Sequence, residues 1–325
     1  MKKKSIIILC VLVTLLSLCL GAANLTPGQL VKAIIQGSNG SVEGSIFWYV
    51  RLPRTAACLL AGAGLAVSGV VIQGVLNNPL ASPGIIGVNA GAGMAVTICC
   101  AVGAVSGWVI AGAAFFGALF AVLLVTLTAQ RYKASRSTVI LGGVAVNSMF
   151  GAVTEAITTL KPDVGILSAD FRVGGFSAVS HIRLLPAGIF IVLAIIVVLS
   201  LHNELDLMNL GEETAQSLGI SAKKMRTVFL GLAALLAGAS VSFAGLLGFV
   251  GLIVPHMIRK IAGAESRCLL PLSAIGGAAF VTLCDLISRM AFQPYEVPVG
   301  ILMSMLGGPF FVWLLIKRKK GHANA

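Results

Sequence analysis

Charged side chains are what this sequence has least of: 10% of its 325 residues are Asp, Glu, Lys or Arg, and only 11 are acids. Soluble domains carry about a quarter. With 58% hydrophobic residues and a mean hydropathy of +1.00, a water-soluble globular domain is excluded, and lipid is the solvent for most of the chain. A second absence excludes nucleotide hydrolysis, because there is no G-x-x-x-x-G-K-[ST] loop and no acidic cluster to hold magnesium and phosphates. Short-spaced Cys/His pairs are lacking as well. The seven cysteines (Cys10, Cys19, Cys58, Cys99, Cys100, Cys268 and Cys284) lie in apolar runs and read as small packing residues rather than disulfide or metal ligands. No paired carboxylates or nucleophile with its base stand out, so no catalytic residue, metal site or cofactor is assigned. The formal charge of +12 does not imply nucleic acid, since the basic residues sit at the ends of apolar segments, where membrane orientation needs them.

What is present is a series of apolar stretches long enough to cross about 30 Å of hydrocarbon. They run over 5–23, 55–76, 84–102, 108–129, 138–160, 184–201, 268–287 and 300–316, with one longer uncharged run over 227–258. Lys223, Lys224 and Arg226 precede that run and Arg259 and Lys260 follow it, so the positive-inside rule places both ends in the cytoplasm. Two passes, one of them short, then turn near 244–248. The result is ten transmembrane helices with both termini cytoplasmic, and 16 of the 23 basic residues fall inside. Lys2, Lys3 and Lys4 before an apolar run resemble a secretory signal, but a retained first helix is the simpler account because the rest also spans the membrane. The 38 glycines, among them the four-apart pairs Gly87/Gly91 and Gly103/Gly107, predict close helix packing. Between the first two spans, the external segment 24–53 predicts a short amphipathic helix capped by Thr26 and started by Pro27, with Leu30, Val31, Ile34 and Ile35 on one face.

Two soluble features carry functional meaning. The internal segment 203–224 holds Glu204, Asp206, Glu212 and Glu213, four of the 11 acids. A short helix starting at Glu212 and Glu213 and stopped by Gly219 would present an apolar strip of Leu210, Thr214, Ala215 and Leu218, which suits docking to a cytoplasmic protein. Within the spans, Glu155 and Asp285 lie near the external ends, and Asp285 has Arg289 four residues on as an ion partner. Interfacial paired acids fit better than a proton relay.

The stretch R-L-P-R from Arg51, running on through G-A-G-L-A-V-S-G-V-V-I-Q-G and N-N-P-L-A-S-P-G-I-I-G-V-N-A-G-A-G, resembles the FecCD-type permeases of iron-siderophore, haem and cobalamin importers. L-G-G-V-A-V-N from Leu141, L-G-E-E-T-A-Q-S-L-G from Leu210, G-F-V-G-L-I-V-P-H-M-I-R from Gly248 and V-P-V-G-I-L from Val297 continue the likeness in order across essentially the whole chain. The resemblance implies an all-α integral membrane protein, one permease domain over 1–325, with the type II ABC importer fold. It also implies a second permease chain, preferably identical, two cytoplasmic ATP-binding subunits and an external substrate-binding protein, in a bacterial inner membrane. It assigns ATPase coupling to Leu210, Gly211, Glu212, Ala215, Leu218 and Gly219, and binding-protein docking to Arg51, Arg54 and Arg289. The translocation path and gate fall to Asn78, Leu80, Ser137, Asn147, Ser148 and Thr154. The stretch D-F-R-V-G-G-F-S-A-V-S from Asp170 keeps the G-G-F element but has Phe171 where relatives usually carry tryptophan. Ferric siderophore is the expected cargo, with haem, cobalamin and then molybdate as alternatives. An ATPase-independent secondary transporter would need buried ionisable groups, and a membrane enzyme a reactive constellation.

Overall fold

The computed structural model describes residues 2–21, 26–37, 41–132, 136–291 and 293–323, without the side chains at 2, 27, 30, 36, 130, 212, 213, 315 and 317–323. Every regular element among them is helical. Helices occupy each of the ten expected segments: α1 (Lys2–Cys19), α4 (Leu52–Val75), α5 (Val88–Ala101), α6 (Gly107–Arg131), α7 (Arg136–Leu160), α9 (His181–Ser200), α12 (Ala222–Ala244), α13 (Val250–Ala262), α14 (Ser266–Met290) and α15 (Val299–Ala323). Six spans among the described residues are long and apolar enough to cross a membrane: Val42–Val75, Gly107–Ala129, Arg136–Leu160, His181–Ser200, Ala222–Ala244 and Ser266–Met290. The uncharged 227–258 run does divide in two. Gly245 at φ 69° ends α12, Phe249 caps α13, and the 13 residues of α13 rise only about 20 Å.

The first connection departs from expectation in one way. Helix α2 (Pro27–Gln36) starts as the sequence suggests, from a Thr26 capping box closed by Gln29, and Gly37 stops it. Its Val31, Ile34 and Ile35 are exposed, while the side chain of Leu30 lies outside the described residues. The chain then turns helical at α3 (Val42–Ile46), passes through a π-helical turn at Phe47–Arg51 and continues without a break into α4. Arg51 and Arg54 therefore sit inside a long helix rather than on an external segment reaching to residue 53. The stretch after α7 carries its own helix, α8 (Pro162–Val173).

Helix α4 is the axle of the molecule, lying against α14, α12, α13 and α9, with 78% of its most apolar stretch buried. Glycine makes that possible by a route other than the expected one. Gly87 is the left-handed cap of α5 and Gly103 lies in a turn, so neither works as half of a helix-face pair. The close approaches are between helices instead: Gly62 with Gly277 (α4 and α14), Gly69 with Gly251 (α4 and α13), and Gly91 with Gly117 (α5 and α6). A methyl group on any of the six would meet the facing backbone. At the Arg54 end of α4, the G-G-F element forms a backbone knot: Gly175 N–H donates to Ala244 O (2.9 Å), Leu246 N–H to Phe171 O (2.9 Å) and Gly300 N–H to Gly174 O (3.1 Å). Position 171 thus contributes its backbone carbonyl to this knot, whichever aromatic side chain it carries.

Candidate functional site: a coupling element, an uncovered helix and a buried charge cluster

Between α9 and α12 lie two short helices, α10 (His202–Asn209) and α11 (Glu212–Ser217), hinged at Gly211. Gly211 (φ 116°) and Gly219 (φ 84°) adopt backbone angles that side chains resist, which explains glycine at the start and the stop of α11. The expected apolar strip splits. Ala215 is fully buried, rooting α11 in the body, whereas Leu210 and Leu218 are 64% and 57% exposed. Two large exposed leucines flanking a rooted six-residue helix are the geometry of a projecting contact. The α11 backbone begins at Glu212, but its side chain lies outside the described residues.

Helix α10 rests directly on the end of α4. A Cβ at Gly74 would come within 2.9 Å of Leu205 Cδ1 and 3.1 Å of Asn209 Oδ1, so only glycine leaves this seating undisturbed. Immediately beyond, Asn78 Oδ1 accepts the Leu80 N–H at 3.0 Å and shapes the turn leading away from α4. A cavity of about 770 Å³ lies here, between Asn77–Pro79, α10 and the Arg259–Glu265 region, with Gln73, Asp206 and Arg259 among the residues that line it. Asn78 and Leu210, expected at the gate and at the coupling element, line the same cavity.

Helix α7 is the least covered of the six spans, with 17% of its apolar window buried. Ser137, Leu141, Val144 and Ser148 run along its exposed face at spacings of three and four. Asn147 and Thr154 point the other way. Asn147 Nδ2 donates to Gly84 O (2.9 Å) and Ile85 O (3.2 Å), tying α7 to the segment that follows Leu80, and buried Thr154 donates back to Phe150 O. Of the four α7 positions assigned to the path, Ser137 and Ser148 lie on the open face, Asn147 ties the helix to its neighbour, and Thr154 is buried with its hydroxyl bonded within α7.

Arg51, Arg54 and Arg289 converge at the other end of α4, as expected of neighbours, but all three are buried. Arg54 grips Asp285 through Nε and Nη2 (2.9–3.2 Å) and gives Nη1 to Glu296 Oε2 at 2.8 Å. Arg289 reaches Asp285 at 3.4 Å and donates to Ser17 O and Oγ, while Arg51 donates to Leu18 O at 2.7 Å and to Cys19 O. Free outward-facing cations are therefore not what these residues present in the single chain. They bolt α1, α4 and α14 together around one fully buried carboxylate. The i+4 partner of Asp285 was legible in the sequence. Its closer partner Arg54, 231 positions away, was not. Glu155 is exposed and lies 3.5 Å from Arg172.

A bundle of apolar helices with one uncovered span and a projecting leucine-flanked element is the build of a membrane permease worked by other subunits. The comparisons with known proteins define that class further. The model of the FecCD transport family matches residues 9–317, and the chain belongs to that family; it is an ABC importer permease. It is 33% identical over 321 residues to the haemin transport system permease protein HmuU of Yersinia pestis, covering 96% of each chain. With the vitamin B12 import system permease protein BtuC of Salmonella paratyphi A it shares 34% over 323 residues, 96% of this chain and 94% of the relative. A solved structure described as an inward-facing conformation of a metal-chelate type ABC transporter superposes with a TM-score of 0.87 at 29% identity, covering 97% of this chain and 98% of that one. PsaBC from Streptococcus pneumoniae, at 16% identity and a TM-score of 0.56 over 87% of this chain and 94% of that one, shares the fold alone.

Proposed function

We propose that this chain crosses the bacterial cytoplasmic membrane ten times and imports a metal chelate, with a ferric siderophore as the first candidate. Both termini lie in the cytoplasm, a second copy pairs with the first, two ATP-binding subunits dock from inside, and an external binding protein delivers the cargo. The observation that carries this reading is the pair of exposed leucines, Leu210 and Leu218, beside buried Ala215. A large apolar side chain held out on a rooted stub gains by entering a cleft of another protein. The uncovered α7 face, with Ser137 and Ser148 among small and aliphatic residues, suits a wall that lets bulky cargo pass without holding it, and Asn78 and Leu80 form the inner gate. Glu212 and Glu213 complement the positive end of the α11 helix.

Haem or cobalamin is the second reading, favoured by near-equal identity to a haemin permease and a vitamin B12 permease. That equality also argues that cargo choice rests with the binding protein. For docking of that protein, the buried arginines act by holding the outer ends of α1, α4 and α14 in register. The test is co-purification from detergent with the ATP-binding subunits. Wild type retains them, and the double substitution Leu210→Asp/Leu218→Asp releases them. Retention by the double variant removes the docking role. Uptake of ⁵⁵Fe-labelled siderophore, haem and cyanocobalamin into cells carrying the complete importer then separates the cargo readings.

A further inference from the structure

Pro255 lies inside α13 and has no N–H, so the carbonyl four residues earlier, Gly251 O, loses its partner within the helix. Gly251 is buried, so the carbonyl needs a donor from elsewhere. Helix α4 supplies one. Gln73, 3% exposed, donates Nε2 to Gly251 O at 3.0 Å. One turn earlier on the same face, Gly69 gives that carbonyl room, since a Cβ there would strike it. The other end of the same amide is also used, as Arg259 Nη1, four residues past the proline, donates to Gln73 Oε1 at 2.9 Å. One side chain thus bridges the proline from outside, taking hold of α13 on both sides of the break.

We propose that Gln73 is a positioning residue that stands in for the N–H missing at Pro255 and clamps α13 to the last turn of α4, fixing the Asn77–Leu80 turn. Its neighbour Gly74 seats Leu205 and Asn209 of α10 on the adjoining face. The last turn of α4 is therefore held by α13 through Gln73 and touched by the coupling element through Gly74. A displacement of α10 would bear on this turn, which leads directly into Asn78. The clamp is a property of the fold, whereas its consequence for transport rests on the gate and coupling roles proposed above.

The test is amide hydrogen exchange of the full-length chain in lipid nanodiscs. Gln73→Leu is expected to raise exchange about tenfold in α13 and in 77–85, the effect of one lost buried hydrogen bond, and to leave α9 unchanged. Gln73→Glu keeps an acceptor for Arg259 and loses the donor, so it should also loosen the first turns of α13. Adding Pro255→Ala to either variant restores the helix's own N–H and should return those turns to wild-type rates. Wild-type exchange in 77–85 and α13 of both single variants overturns the clamp. Exchange that stays fast after Pro255→Ala overturns the stand-in for the proline. If exchange responds as expected while siderophore, haem and cyanocobalamin uptake by the complete importer is unchanged, the clamp stands and the gate reading falls.

Discussion

At the scale of single residues, the charge cluster sets the sharpest expectations. Asp285 is wholly buried and held by Arg54 from α4 and Arg289 from its own helix. Removing one member of such a pair strands a buried charge, which costs about 3–5 kcal/mol. Arg54→Ala and Asp285→Ala should therefore each lower the thermal unfolding temperature of the detergent-purified chain markedly. The double variant should lose much less than the two effects combined, because each single change exposes the other partner's desolvation. Additive losses would mean the two residues act independently. The geometry also changes what charge reversal would report. Arg54→Glu would set a third carboxylate beside Asp285 and Glu296, so loss of binding-protein docking in that variant should come with a fall in unfolding temperature. The sequence shows why only half of this was legible: Asp285 and Arg289 are neighbours on any helix, whereas Arg54 and Glu296 become partners only after α4 is seated against α14.

At the scale of elements, α11 and α7 make different demands. Ala215 has no exposed surface, so Ala215→Leu must push α11 off the body, at about 1–3 kcal/mol. It should reduce ATP-binding-subunit retention although it adds apolar surface, and retention at wild-type level would show that the rooting of α11 is irrelevant. On α7, a large side chain has opposite consequences on the two faces. Ser148→Trp projects from the open face and should abolish uptake while leaving the unfolding temperature of the monomer within a few degrees. Thr154→Trp enters the buried face and should destabilise the chain itself. The helix segments and their breaks were readable because hydropathy, basic flanks and glycine stops are local signals, and the division of 227–258 into α12 and α13 is the clearest instance. Which face of a helix is covered was much less readable. Asn147 and Ser148 are adjacent uncharged polar residues in sequence, yet one ties α7 to Gly84 and Ile85 while the other stands exposed. The continuation of α4 back to Val42 was hidden for a related reason, since two arginines and a proline at 51–54 look like a boundary until Asp285 and Glu296 neutralise the charge and the π-helical turn at Phe47–Arg51 is seen directly before Pro53.

At the scale of the whole molecule, the question is where the work for uphill movement comes from. A proton-driven carrier needs an ionisable group that alternates between two accesses. Asp285 is poorly placed for that, because both of its oxygens accept guanidinium N–H from Arg54. Glu155, 71% exposed, is not enclosed in the body of the single chain. For ATP, the sequence carries no G-x-x-x-x-G-K-[ST] phosphate loop of its own. What the chain does have is the leucine-flanked α11 joined to α10, the mechanical input proposed above, with α10 seated against the end of α4 next to the Asn78 turn. An input of this kind shifts the balance between two forms only when something outside binds one form better. The purified chain in liposomes should therefore equilibrate or exclude ferric siderophore, haem and cyanocobalamin, and never concentrate them, under an imposed proton gradient or with ATP alone. Adding the ATP-binding subunits with the binding protein should produce accumulation that ends when ATP is exhausted. Sustained accumulation by the chain alone under a proton gradient would place the motor inside these helices and leave α11 without a purpose.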